Sequence, residues 1–377
     1  MSRMRGKRFL PVLATLLLVL LPACRPPADP VDLLASGRRL VEASARCEGV
    51  DRNAEAVEAL ERALKADPAQ VEAYYWLYTA YAELGDAGKA AEAMGRLQSA
   101  AAEAPDDLEA RFWLLKIYVE QDAAEEWKPL LEALEAAAEA APQQAEPLFW
   151  LGRARYETGD TAGALEALEE ATRLAPEHAP AHFWLGQVYF EEGNLDQAWQ
   201  AFDAAIRLEP DNASAYHNRG VVAYQMGHLD QAVADLMAAQ DKDPEDPNTR
   251  YQLGAVYLVQ ALPALPGAAP PNAERLQQAQ AEFEAALELC PGMPEVLIGL
   301  GNLYLLQGDA AAAIAQLEQA LERAPDSPEA LYALSQAYAQ QGDLEAACST
   351  VERFLALEVA GEWHAQGQEM RQQWNCP

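Results

Sequence analysis

Residues 145–178 read AEPLFWLGRARYETGDTAGALEALEEATRLAPEH, and this stretch decides the fold. Leu148, Leu151 and Gly152, then Leu165, Leu168 and Ala171, recur at helical spacing, so the stretch holds two amphipathic helices. Gly159-Asp160 separates them: the glycine takes the left-handed residue that ends the first helix, and the aspartate caps the second. Pro176 stops the second helix before the next segment begins. Gly152 and Ala164 are small where the two helices should cross, and larger side chains there would push the pair apart.

The same punctuation returns every 34 residues in 179–212, 213–246, 294–327 and 328–361. Glycine holds the eighth place (Gly152, Gly186, Gly220, Gly301, with Ser335 substituting) and alanine the twentieth (Ala164, Ala198, Ala232, Ala313, Ala347). Proline holds the thirty-second (Pro176, Pro210, Pro244, Pro325). The pattern resembles the tetratricopeptide repeat. The resemblance implies an all-α solenoid, a right-handed superhelix of about nine helix-turn-helix repeats, with little sequence left for a separate catalytic domain.

Four further copies carry defects. Segment 37–70 keeps Ala56, Ala63 and Pro68 but has Ser44 for the glycine and Cys47 where an aromatic is usual. Segments 71–107 and 108–144 are three residues too long, close to one helical turn, which a longer helix absorbs; Tyr78 and Leu115 at their eighth places should hold their helix pairs further apart. Segment 247–293 carries a thirteen-residue insert, 261–273, with four prolines and no charge, expected as an extended surface loop. Residues 362–377, with Trp363 and Trp374, are expected to form a short helix that caps the last apolar face.

At the amino terminus Arg3, Arg5, Lys7 and Arg8 precede an apolar run from Phe9 to Leu21, which ends in Leu21-Pro22-Ala23-Cys24. Residues 1–23 read as a secretory signal, too short and too soon broken by Pro22 to stay as a membrane span. The Leu-x-Ala-Cys ending resembles a bacterial lipobox, which implies cleavage before Cys24, lipidation of Cys24, and residues 24–36 as a tether between bilayer and solenoid. No aspartate follows Cys24 directly, so the resemblance implies the bacterial cell envelope, at the outer membrane facing the periplasm.

The formal charge is −32 (27 basic against 59 acidic side chains); removing residues 1–23 takes away four basic and no acidic groups, leaving −36. Such a surface repels phosphate backbones and anionic headgroups, which argues against nucleic-acid binding and leaves the Cys24 lipid as the membrane contact. Besides Cys24 there are Cys47, Cys290, Cys348 and Cys376, and an oxidising compartment permits disulfides. A Cys348–Cys376 bridge would pin the cap to the stack; Cys47 sits at a core-facing place, so buried free thiols are the alternative. No cysteine or histidine spacing points to a metal, and no motif points to a cofactor, a small-molecule substrate or a catalytic residue, so no enzyme is expected.

Function is therefore expected on the concave wall formed by the first helix of each repeat. The resemblance places groove-facing residues at the second, fifth, sixth, ninth, twelfth and thirteenth places. The fifth and sixth read Tyr75-Trp76, Phe112-Trp113, Phe149-Trp150 and Phe183-Trp184, beside Lys116, Arg153, Tyr156, Gln187 and Phe190, before giving way to His217-Asn218 and Tyr251-Gln252. Aromatic surface in a concavity anchors a peptide or helix at low entropy cost. The competing reading has the rings packing on neighbouring first helices and widening the core. The sequence thus points to a scaffold for a segment of an envelope protein, with a solenoid arm of an enzyme and a self-associating spacer as alternatives.

Overall fold

The computed structural model describes residues 29–47, 51–104, 106–263, 270–357 and 361–376. Among them are nineteen α-helices and no strand. The first nine are α1 (Pro30–Arg46), α2 (Asn53–Ala66), α3 (Val71–Glu83), α4 (Ala87–Glu103), α5 (Leu108–Glu120), α6 (Ala124–Ala140), α7 (Ala145–Glu157), α8 (Thr161–Leu174) and α9 (Ala179–Glu191). There follow α10 (Leu195–Leu208), α11 (Ala213–Gln225), α12 (Leu229–Lys242), α13 (Pro247–Ala261), α14 (Ala273–Leu289) and α15 (Pro294–Gln307). The last four are α16 (Ala310–Arg323), α17 (Pro328–Gln341), α18 (Leu344–Ala356) and α19 (Glu362–Gln373). Each odd helix up to α17 packs on the even helix after it, and each up to α15 also on the odd helix of the next repeat, the pattern of a tetratricopeptide solenoid.

Local chemistry accounts for the boundaries. Gly308 sits at φ +81° at the end of α15, with Asp309 accepting from the Ala312 amide at the start of α16. Asp122 takes the same left-handed corner after α5 at φ +54°, the sort of position where a short polar side chain is tolerated. Asp86, Asp160 and Asp343 also cap their helices, whereas Asn194, at the same place before α10, makes no side-chain capping bond.

The small residue at the eighth place meets the alanine at the twentieth, as expected, and a larger side chain besides. A Cβ on Gly152 would lie 2.6 Å from Leu168 Cγ and 3.3 Å from the Ala164 carbonyl, and one on Gly186 would lie 2.8 Å from Phe202. The glycine therefore makes room for the large side chain at the twenty-fourth place, while the alanine at the twentieth brings its backbone close. The three extra residues of the second and third repeats lengthen α4 and α6 to 17 residues, against 14 for α8, α10 and α12. With Leu115 in place of glycine, α5 and α6 pack the least extensively of the nine pairs.

Two sequence readings need correction. Helix α1 begins at Pro30, capped by the Asp29 carboxylate on the Val31 amide, so residues 30–36 are helical and not part of a tether. The insert 261–273 has its two end residues inside helices: Ala261 closes α13, Ala273 opens α14, and the Asn272 amide donates to the Ala261 carbonyl at 2.8 Å. Its residues 264–269, the expected signal 1–23 and the expected lipidation site Cys24 lie outside the described residues. No helix of the described residues is long and apolar enough to cross a membrane.

At the carboxyl end α19 lays Trp363 against Tyr332 and Phe354, with ring centres 5.6 and 6.2 Å away. A disulfide joins Cys348 in α18 to Cys376 just past α19. A second disulfide joins Cys47 to Cys290, 243 residues apart, where the sequence had left a buried free thiol open. It ties the end of α1 to the end of α14, so the superhelix turns back on itself within seven repeats. Ion pairs Arg39–Asp243 at 3.0 Å and Arg52–Glu245 at 3.7 Å cross the same seam.

Candidate functional site

The aromatic pairs of the second to fourth repeats lie on the inner side of α3, α5 and α7, but they are closed off. Tyr75, Trp76, Phe112, Trp113, Phe149 and Trp150 are all buried, none more than 8% exposed. Trp113 stacks on Tyr75 with centres 4.9 Å apart and lies 6.5 Å from Trp76, while Trp150 meets Phe112 at 5.3 Å. Successive first helices approach through these rings, so each ring covers its neighbour and the reading as an open ladder is corrected: here they extend the core. Each indole N–H is satisfied one turn earlier, Trp76 donating to Glu72 at 2.9 Å, Trp113 to Glu109 at 3.3 Å and Trp150 to Glu146 at 2.6 Å. This Glu-x-x-x-Trp spacing was visible in the sequence and marks a self-contained pair, not a free indole.

Arg153 also lies inside this core. Its guanidinium is surrounded by Phe112, Trp113, Phe149, Trp150 and Trp184, and its Nε is buried without a hydrogen-bond partner. Burial pulls its pKa down to about 10 despite Glu72 and Glu157 nearby. Phe190 faces elsewhere, packing with Leu195 and Trp199 around Phe202.

The open surface belongs to the remaining groove residues. Lys116, Tyr156, Phe183, Trp184 and Gln187 line a cavity of about 1580 Å³, together with His217, Asn218 and Gln252 from α11 and α13. The wall facing them was not foreseen: Asp32, Ser36, Arg38 and Arg39 of α1, with Glu55 and Glu58 of α2. Only closure of the superhelix brings these faces together, so no local pattern announces the second wall.

The lumen is polar and largely preset. Lys116 Nζ donates to Glu157 at 2.7 Å, Asn218 to Gln187 at 3.0 Å, and His217 Nδ1 lies 2.8 Å from the Thr249 hydroxyl. The Tyr156 hydroxyl donates a hydrogen bond to Glu191, and burial, then that bond, pushes the phenol pKa up. Nine carboxylates face the cavity against six Lys and Arg side chains, and five of those cations are held by the protein's own carboxylates. An anionic ligand thus meets a net negative wall, whereas half-buried Phe183 and Trp184 beside amide groups suit a polypeptide. Among the described residues no cluster of His, Cys, Asp or Glu could hold a metal ion.

A tetratricopeptide repeat profile matches residues 49–96, 131–179, 151–213, 272–318 and 298–357, and a second profile of that repeat matches 185–253. The chain belongs to the tetratricopeptide repeat family. No curated protein sequence matches it. Among solved structures it is similar to the APC/C hetero-tetramer Cut9-Hcn1 at a TM-score of 0.59 and 17% identity, over 91% of this chain and 55% of that one. The chain thus spans about half the length of that relative. It is also similar to a tetratricopeptide repeat protein from Parabacteroides merdae, at TM-score 0.52 and 17% identity over 62% of this chain and 88% of the other. PilW, a widely conserved type IV pilus biogenesis factor, matches at TM-score 0.51 and 17% identity, over 59% of this chain and 97% of its own. At such identities the likeness is one of fold.

Proposed function

We propose that the chain is a non-enzymatic scaffold, anchored in the bacterial envelope by lipid on Cys24, that holds a linear, net-basic segment of a partner protein in its lumen. One observation carries the binding reading: Trp184, Phe183 and Tyr156 are presented to a cavity beside Gln187, Asn218 and His217, in a lining where nine carboxylates outnumber six Lys and Arg side chains. The rings bury apolar side chains at low entropy cost, the amides meet main-chain groups, and the excess of carboxylate favours Lys and Arg. The sequence of residues 1–24 supports the envelope location.

The test separates the two parts. Trp184→Ala with Gln187→Ala should lower crosslinked partner recovery from membranes about tenfold or more, the loss expected when a central aromatic anchor is truncated. Unchanged recovery defeats the lumen reading. Cys24→Ala should abolish incorporation of labelled palmitate and release the chain from membranes; a variant that still fractionates with membranes defeats the anchor.

A further inference from the structure

A solenoid groove ordinarily lies open along its length, and a partner can be laid into it from the side. Here the groove is walled on both sides. Helices α1 and α2 face α9, α11 and α13 across one cavity, and three links cross the seam: the Cys47–Cys290 disulfide, Arg39–Asp243 and Arg52–Glu245. The two ion pairs involve partly exposed side chains and are weak individually. The disulfide is different: Cys47 and Cys290 are both nearly inaccessible, and the bond closes a loop of 243 residues that would otherwise be held by little else.

Building on the reading that the lumen holds a polypeptide, we propose that the Cys47–Cys290 bridge clasps the superhelix into a ring, so that its ligand is fed along the axis as a linear chain. Folded surfaces are then refused. Three observations support the restriction. The cavity, about 1580 Å³, exceeds the roughly 300–1,000 Å³ of small-molecule pockets yet is far too small for a folded domain. Its seam is covalent, with Cα atoms of Cys47 and Cys290 5.0 Å apart, leaving no sideways entrance at that point. Its lining carries nine carboxylates against six Lys and Arg side chains, so a basic chain meets net negative charge.

The test measures access to the lumen and needs no partner. In the full-length chain carrying Cys24→Ser, Gln252→Cys places a thiol in the cavity and, separately, Glu166→Cys places one on the exposed outer face of α8. Each is reacted with a linear polyethylene glycol maleimide and with a maleimide carried on a small folded protein. The clasped ring should let the linear reagent reach Gln252→Cys while slowing the folded one at least roughly tenfold, an added barrier of about 1.4 kcal/mol, with no such discrimination at Glu166→Cys. Adding Cys47→Ser and Cys290→Ser should remove the discrimination. Equal rates at Gln252→Cys in the clasped protein overturn the proposal. So does discrimination that persists without the clasp in a variant whose circular dichroism remains helical, and so does non-reducing peptide mapping that fails to link Cys47 to Cys290. If the clasp-free variant does not fold, the comparison within the clasped protein still decides. A lumen that binds no segment at all would defeat the proposed function and leave these rates unchanged.

Discussion

The Arg153 guanidinium lies 4.0 Å from the centre of the Phe112 ring, with Trp184 at 4.6 Å and Trp113 at 4.9 Å. Two effects oppose each other there. Cation–π attraction supplies about 0.5–2 kcal/mol, while taking the charge out of water without a carboxylate at hydrogen-bond distance costs several. Burial prevails in the lowered pKa of about 10. The charge is therefore expendable and the volume is not. Arg153→Met should unfold within about 1 kcal/mol of the parent, whereas Arg153→Ala should lose about 2–4 kcal/mol by opening a cavity among the rings. Denaturant titration followed by tryptophan fluorescence compares them; equal losses would show that the charge, not the bulk, holds the site.

Glycines at three kinds of place should respond in different directions to alanine. Gly95, within α4, has open space where a Cβ would stand, with nothing within 4 Å, so Gly95→Ala should stabilise by about 0.5–1 kcal/mol through the unfolded chain's lost freedom. Gly152 gains the same helix propensity, but its Cβ meets fully buried Leu168 at 2.6 Å, and overpacking of about 1–3 kcal/mol outweighs it. Gly308 has open space but φ +81°, which costs a side chain about 1–2 kcal/mol. Thermal melts of the three variants give the order; a stabilising Gly152→Ala would contradict the packing account.

Most of this fold was legible in the spacing of a few small residues. Gly152 and its counterparts, the Gly-Asp corners and the repeated prolines are local devices, so a one-dimensional pattern records them, and the longer helices α4 and α6 follow from a three-residue excess. The candidate site was less legible because exposure is set between repeats. Trp113 and Trp184 hold the same place in their units, yet neighbouring α3 and α7 bury the first, while the second keeps access to the lumen. Nothing near Cys47 in sequence points to Cys290, since their meeting depends on curvature accumulated over seven repeats.

Arg219 grips Asp235 with two hydrogen bonds, 2.9 and 2.6 Å, and reaches Asp203 with a third at 2.6 Å. Asp235 is only 3% exposed, so its charge relies on this one guanidinium. Arg219→Met should cost about 3–5 kcal/mol by stranding a buried carboxylate, whereas Asp235→Ala leaves the arginine held by Asp203 and should cost about 1–3 kcal/mol. The double variant Arg219→Met with Asp235→Leu should recover much of the loss. A double-mutant cycle measures the coupling, and additive single losses would mean the three groups do not act as a unit.

Glu109 provides the pH test. Burial pushes its carboxyl above the ordinary 4.5, the indole N–H of Trp113 pulls it back, and Glu72 pushes it up again. The folded state therefore binds this proton more tightly than the unfolded chain, so stability falls as pH rises through the window between the two values and the cost persists at neutral pH. Glu109→Gln keeps the shape, and its amide oxygen still accepts from Trp113, 3.3 Å from the present carboxylate. The variant should melt higher than the parent at pH 8, the gap should narrow as pH falls through the raised pKa, and it should close below 4.5, where both forms are neutral. A variant that melts no higher at pH 8 would show that the ionised carboxylate is well served by the indole bond, and that burial is not the stronger influence at this turn of α5.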